Sequence, residues 1–214
     1  MLPPSPAVRK RCDVPIETFI ALTGFGIAAA FTPGPNNLML AASGINFGFI
    51  QTAPHMCGVV VGFVAMLLGV GFGLGAFFMA YPLAQTVLKI IGVVYLLWLA
   101  WRIANATSAD PSQKPRPITF IEAALFQWVN PKALIAAVST ISIFILPESA
   151  VSDVLIVAVV FFFVSIGAVV SWTVFGAALR GFLHDPAKRR IFNIAMALLL
   201  VVSIAPVVMP WGRG

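Results

Sequence analysis

The feature that most constrains this 214-residue sequence is a run without a single charged residue, which extends from Thr18 to Leu88. Two more uncharged runs cover Val154–Leu179 and Ile191–Gly212. Charged residues make up only 9% of the chain, against about 25% in a soluble domain, which is too few to cover a water-facing surface. Since about 20 apolar residues in a helix cross the hydrocarbon core of a bilayer, each run is long enough to span a membrane.

Helices are the expected form of these spans. Backbone polar groups inside a bilayer must pair with one another, which restricts spanning segments to helices and closed barrels. Barrel strands alternate apolar and polar residues, whereas Val159–Val170 is almost continuously apolar. The sequence therefore predicts an all-α, polytopic protein of the lipid bilayer. Turn signals such as residues 43–48 and the Tyr81-Pro82 step divide it into six predicted transmembrane helices, near Ile16–Ala42, Pro54–Tyr81, Pro82–Trp101, Phe120–Leu146, Val151–Leu179 and Ile191–Trp211.

One membrane domain is expected over residues 14–214, in halves of about 14–104 and 118–214, after an N-terminal extension, 1–13, that we expect to be disordered. Basic loops lie on the cytoplasmic side, and the loops after spans three and five are basic, which places both termini outside. The cluster Arg9-Lys10-Arg11 favours the opposite side for the N-terminus. A cytoplasmic N-terminus followed by only five true spans would explain this conflict. It would also be explained if residues 1–13 were an extension, or if the start of the sequence were assigned too early.

Two of the predicted spans are interrupted near their middle. Span one contains the segment Thr32–Asn37 and span four the segment Gln127–Lys132, and in both of them Asn stands close to Pro. Proline breaks a helix, and matched breaks in two halves indicate a transporter binding site. Three spans per half then predict two inverted three-helix repeats with broken helices one and four. Freed backbone groups and helix ends could hold a zwitterion, so the candidate substrate-binding residues are Pro33, Gly34, Pro35, Asn36, Asn37, Gln127, Asn130, Pro131 and Lys132.

Ionisable residues inside spans are further candidates, because burying them in lipid is costly. Lys132 ranks first, as a carboxylate ligand or a proton-coupling group. Lys89 pairs with a carboxylate, lines the path or extends towards the headgroups. Glu122 is an interfacial group or a coupling carboxylate, with the interface favoured. His55 could titrate with the proton gradient, but a position at the interfacial start of span two is favoured.

Other signals narrow the class of protein. The small residues Gly58 and Gly62 are spaced for close helix packing. The sequence has neither a phosphate-binding G-x-x-x-x-G-K-[ST] motif nor a cluster with metal-ligand spacing, so no cofactor or metal is expected and an enzyme is not expected. Its basic residues form short clusters rather than a broad face, which argues against nucleic acid as a partner. The sequence is compatible with a homo-oligomer as well as with a single copy of the chain.

The interrupted segments also carry a family resemblance. Residues 32–37, followed by Gly48-Phe49, Pro54-His55, Gly58 and Gly62, resemble the first half of the LysE/RhtB family of amino-acid exporters. The segments 95–102 and 126–132 are similar to later signatures of that family. The resemblance implies six helices, a bacterial inner-membrane location, and export of neutral or basic amino acids or their derivatives, coupled to the proton gradient. The extension 1–13 departs from the family pattern.

These observations predict a secondary active amino-acid exporter. Neutral substrates of the homoserine, threonine or cysteine type are favoured, because a cationic substrate would need a buried carboxylate. A heavy-metal exporter of the same superfamily is one alternative, although Cys57 is its only thiol within the spans. A membrane scaffold that transports nothing is another.

Overall fold

The computed structural model describes residues 15–74, 80–105, 116–145, 150–179, 181 and 185–202. These residues form helices and short connections without any strand, so the all-α prediction is confirmed for them. The predicted extension 1–13 and the end of predicted span six lie outside the described residues. The helices are α1 (Ile16–Phe31), α2 (Pro35–Phe47), α3 (Phe49–Gly69), α4 (Pro82–Ala104), α5 (Phe120–Val129), α6 (Pro131–Phe144), α7 (Ala150–Leu179) and α8 (Pro186–Val202).

Long apolar helices dominate the described part of the chain. Phe49–Gly73, which is α3 with the π-helical turn that follows it, has a mean hydropathy of 2.2. Val151–Leu179 within α7 reaches 2.9. Both are long enough to cross a bilayer, and α1 with α2 makes a third span if the two are counted as one bent helix. The fold is thus that of a polytopic helical membrane protein.

Both predicted helix breaks are present, and proline chemistry accounts for them. Thr32 and Gly34 have extended backbone, α2 begins at Pro35, and the axes of α1 and α2 differ by 56°. Asn130 is likewise extended, and α6 begins at Pro131. A residue before proline is driven out of the helical region, while proline itself suits the first position of a new helix. Each break therefore ends one helix and starts another.

The structure corrects the predicted boundary between spans one and two. Residues 43–48 were expected to form a loop, but α2 continues to the residue before Gly48. Gly48 alone separates α2 from α3, through a backbone φ of 81° that favours glycine. As a consequence α3 begins before Pro54, and the predicted helix-start residue His55 lies inside the helix. The predicted step at Tyr81-Pro82 is confirmed, because Tyr81 is not helical and α4 begins at Pro82.

Two apolar cores hold the helices together. One is built from α2, α3, α4, α5, α7 and α8 and includes Leu40, Leu96 and Leu200, which are fully buried. The other joins α1, α3, α6 and α7 around Met66 and Phe161. The candidate site described below lies where these two cores meet.

Glycines bring the backbones of two helix pairs into direct contact. On α3, Gly58 faces the Phe120 carbonyl of α5, and Gly62 faces Ala124 one turn further along. Between α2 and α7, Gly44 and Gly176 lie against backbone atoms of the opposite helix. A Cβ atom at any of these glycines would overlap main-chain atoms, so the close approach of each pair depends on glycine.

Candidate functional site

The two helix breaks meet in space, joined by a pair of side-chain amides. Asn36, in the first turn of α2, donates from Nδ2 to Gln127 Oε1 over 2.7 Å. Gln127, near the end of α5, donates from Nε2 to Asn36 Oδ1 over 3.2 Å and to the Ala123 carbonyl over 2.9 Å. Residues 91 positions apart thus form a reciprocal amide pair across the two halves of the chain.

Asn37 stabilises the first break from within. Its Nδ2 donates to the carbonyls of Ala30 over 2.7 Å and Thr32 over 2.9 Å. These carbonyls lie at the end of α1, where the last carbonyls of a helix lack partners in the helix itself. The side chain of Asn37 therefore satisfies backbone acceptors that the break has freed.

Lys132 connects the second break to the first. Its ammonium donates to the Thr32 carbonyl and, over 3.4 Å, to the Pro33 carbonyl. Its backbone N–H donates to Asn130 Oδ1 over 3.2 Å, which makes Asn130 the N-cap of α6. The Lys132 side chain passes directly over Gly34, where a Cβ atom would lie 2.6 Å from Lys132 Cδ. Within the described residues no carboxylate forms an ion pair with Lys132.

These residues line the central pocket, a cavity between α1, α2, α3, α5, α6 and α7. Its volume, including the open mouth, is about 560 Å³. The N-terminal ends of α2 and α6 both contribute to its wall, and none of the acidic side chains in the described part of the chain does. Small and apolar side chains such as Ala133 and Phe161 complete the lining. Its polar side chains are Asn36, Asn37, Gln127, Asn130, Lys132 and Ser165.

The structure thus brings together the residues predicted around the two prolines. Pro35 and Pro131 take the first positions of α2 and α6, and the carbonyl of Pro33 contacts Lys132. Ser165 is the lining residue that sequence reasoning missed. Its only sequence signal is a hydroxyl in the uncharged run of α7, which is weak because the same run also contains Ser171 and Thr173.

Two predicted ionisable candidates, His55 and Glu122, lie away from the central pocket. His55 is completely buried in α3, with Nδ1 3.2 Å from Ser43 Oγ, and its predicted place at a helix start is wrong because α3 begins at Phe49. The burial follows from the early start of α3, which carries His55 one turn and a half further into the bundle. The side chain of the third candidate, Lys89, lies outside the described part of the structure.

Glu122 caps α5. Its carboxylate accepts from the Thr119 backbone N–H over 2.8 Å, and the Thr119 hydroxyl accepts in return from the Glu122 N–H. Arg116 donates to the same carboxylate over 2.7 and 3.0 Å, and this hydrogen bonding raises the pKa of Arg116. The described residues contain no group of three or more His, Cys, Asp and Glu that could hold a metal ion.

A polar pocket at the meeting point of two broken apolar helices is the arrangement of a membrane transport protein. The family described as LysE type translocator matches residues 27–207, which include both breaks. The chain therefore belongs to the LysE family of translocators, which are proteins of the bacterial inner membrane. The resemblance seen in the sequence is confirmed.

Relatives in the same family carry more specific names. A protein of Salmonella typhimurium (strain LT2) named cysteine/O-acetylserine efflux protein is 33% identical over 184 residues, which cover 83% of this chain and 90% of the relative. The protein of the same name from Escherichia coli (strain K12) is 31% identical over 181 residues, with the same coverage. No solved structure matches the chain.

Proposed function

We propose that this protein exports small neutral amino acids, of the cysteine and O-acetylserine kind, from the cytoplasm. The observation that carries the proposal is the central pocket, which combines two helix N-termini, backbone carbonyls of the first break, and an ammonium group that has no carboxylate partner within the described residues. These groups complement both charges of an amino-acid zwitterion. The names of the relatives supply the substrate class.

The carboxylate of the substrate would bind at the N-termini of α2 and α6 beside Lys132. The first backbone N–H groups of a helix lack partners in the helix and give this end a partial positive charge. Lys132 now donates to the Thr32 and Pro33 carbonyls. As the substrate carboxylate draws the Lys132 ammonium towards itself, these two carbonyls become available to the substrate ammonium. A single movement of the Lys132 ammonium would thus provide partners for both the carboxylate and the ammonium group of the substrate.

The pocket favours small substrates without a net charge. Its volume of about 560 Å³, mouth included, lies within the range of roughly 300–1,000 Å³ that is usual for ligand pockets. A lysine or arginine substrate would place a second cation beside Lys132, and no described acidic side chain lines the pocket to compensate it.

We further propose that the chain has six spans in two inverted repeats and works by alternating access, driven by the proton gradient. The helix order supports the repeat: the broken pair α1–α2 is followed by α3 and α4, and the broken pair α5–α6 by α7 and α8. Each pair breaks before a proline, Pro35 or Pro131. Rocking of one repeat against the other would expose the pocket to each side in turn.

Labelling with an impermeant thiol reagent tests this topology. With Cys12 and Cys57 replaced by Ser, the single variants Glu17→Cys and Arg190→Cys are expected to react from opposite sides of the membrane in intact cells. Reaction of both from the same side would contradict six spans with both termini outside.

Export from cells loaded with amino acids by dipeptide feeding tests the function. Cells with the native chain are expected to release cysteine faster than cells without it, and an uncoupler is expected to remove the difference. Asn130→Ala is expected to abolish the export, whereas loss of the N-cap alone costs only about 1 kcal/mol of stability. Equal release by the native chain and the empty strain would refute the proposal.

Asn130→Ser is the matched control for this experiment. Serine also caps helices well, so this variant keeps the start of α6 but removes the amide. If Asn130 acts on the substrate, Asn130→Ser is expected to insert normally and to export as little as Asn130→Ala. Full export by Asn130→Ser would assign Asn130 to helix capping alone.

A further inference from the structure

A second pocket lies at the end of the bundle where α2 and α4 finish and α5 begins. Its polar lining side chains are Ser43 and Asn46 of α2, Arg102 of α4, and Arg116. The volume, including the mouth, is about 410 Å³, and the other lining residues are apolar. Among the residues that the structure describes, no acidic side chain contributes to this second pocket.

Arg102 is the residue in this pocket whose bonding is incomplete. Its Nη2 donates to the Arg116 carbonyl over 2.7 Å, but its Nη1 is buried and has no hydrogen-bond partner. The guanidinium lies 5.4 Å from the centre of the Trp98 ring, which holds it in place by a cation–π contact. A buried donor without a partner is costly, and the cost disappears when an anion binds.

Among the described residues, Arg102 carries a positive charge that no neighbouring carboxylate neutralises and that is available to a ligand. Arg116 already makes two hydrogen bonds to Glu122, so this pair is neutral as a whole. Within the described residues Arg102 has no such carboxylate. The guanidinium offers paired donors that match the two oxygens of a carboxylate.

The same pocket offers an acceptor for an ammonium group. Asn46 uses its Nδ2 as a donor to the Ala42 carbonyl over 2.8 Å and to Asn193 Oδ1 over 3.3 Å. Its Oδ1 accepts no hydrogen bond from another described residue, and Asn46 is one of the lining residues of the pocket. A guanidinium and an amide oxygen in one cavity are complementary to the two charged groups of an α-amino acid.

One face of α2 connects this second pocket to the central pocket. Asn36 lines the central pocket, while Met39, Ser43 and Asn46 line the second one. Spacings of three, four and three residues place all four side chains on the same helix face. Met39 lines the second pocket, is almost completely buried, and follows Asn36 by one helical turn. Its flexible thioether side chain can change its rotamer to let a small molecule pass.

Resting on the proposed export function, we propose that the second pocket is a capture site for the substrate on the cytoplasmic side, where Arg102 binds the carboxylate and Asn46 the ammonium group. The position agrees with the basic-loop rule, which places the end of α4 and the start of α8 in the cytoplasm. From this site the amino acid moves along α2 past Met39 to Asn36.

Uptake of radiolabelled cysteine into everted membrane vesicles, kept reduced, tests the proposal because the cytoplasmic face is then outside. Arg102→Gln is expected to raise the KM for cysteine about tenfold. Arg102→Lys, which keeps the charge but loses the paired donors, is expected to have a smaller effect. Arg190→Gln removes an exposed cation from α8 and is the matched control, with an unchanged KM.

A competitor that lacks the carboxylate identifies the group that Arg102 recognises. Arg102→Gln is expected to weaken inhibition by unlabelled cysteine about tenfold and to leave inhibition by cysteine methyl ester unchanged. Equal losses for both competitors, or a native KM in Arg102→Gln, would overturn the capture site. Absence of uptake by the native protein would instead refute the proposed export function.

A lipid phosphate is the competing occupant of a pocket with this chemistry. If it binds there, phosphatidylglycerol added to the protein in detergent would raise the Tm of the native chain but not that of Arg102→Gln. That result would overturn the capture site in favour of a lipid site. Equal stabilisation of both proteins by the lipid is expected.

Discussion

Replacing Lys132 by Met is expected to reduce amino-acid export by about tenfold to a hundredfold while the protein stays folded in the membrane. Met preserves most of the side-chain length and its apolar contact with Gly34 but removes the ammonium group. The variant loses the hydrogen bonds to the Thr32 and Pro33 carbonyls and the positive charge available to the substrate carboxylate. Hydrogen bonds that involve a charged group are each worth about 1.5–3 kcal/mol, which gives the expected range.

The measurement is cysteine release from cells loaded by dipeptide feeding, normalised to the amount of protein in the membrane. Lys188→Met is the matched control, because this lysine is exposed on α8 and outside the residues of the central pocket. Export by Lys188→Met is expected to equal that of the native chain. Native export by Lys132→Met would remove Lys132 from the binding site.

Exchange of substrate without a gradient separates binding from proton coupling at Lys132. A residue that only couples protons is dispensable when labelled cysteine exchanges with unlabelled cysteine across vesicles at equal pH. If Lys132 binds the carboxylate, Lys132→Met is expected to lose exchange and driven export together. Normal exchange with loss of driven export alone would assign the residue to coupling and contradict the carboxylate role.

The sequence predicts the helix breaks well because their causes are local. Proline removes one backbone donor and restricts the residue before it, whichever helices pack around it. The breaks at Pro35 and Pro131 could therefore be located to within a residue or two. The amide pair of Asn36 and Gln127 could not be predicted in the same way, because it depends on how two distant helices pack.

What the sequence did not reveal has equally physical reasons. Pro54 resembles a helix start and predicts that His55 opens the helix, but the positive φ of Gly48 ends α2 earlier, so that α3 begins at Phe49. Asn37 stands beside Asn36 in the sequence, and only the structure shows that its amide is used by carbonyls of the first break. Arg102 belongs to a basic loop in the sequence, and its unpaired Nη1 becomes visible only once α2 and α4 are packed.

Gly176→Val is expected to lower the Tm of the detergent-solubilised protein by roughly 2–12 °C, from an overpacking cost of about 1–3 kcal/mol. A Cβ atom at Gly176 would overlap the Ala41 carbonyl group and lie 2.9 Å from Ala41 Cα. These are main-chain atoms of α2, so no change of rotamer relieves the overlap and the two helices must separate. Gly44 makes the reciprocal contact with α7, which doubles the dependence of this helix pair on glycine.

Gly24→Val is the matched control, since a Cβ atom at this helical glycine of α1 would meet no atom within 4 Å. It is expected to leave the Tm nearly unchanged, which separates the cost of steric overlap from that of a β-branched residue in a helix. Because α2 carries Asn36 in its first turn, separation from α7 also moves Asn36 away from Gln127. Gly176→Val is therefore expected to export poorly even at temperatures where it stays folded. Native export by Gly176→Val below its Tm would show that the amide pair tolerates displacement of α2, and native thermal stability would contradict the close α2–α7 contact itself.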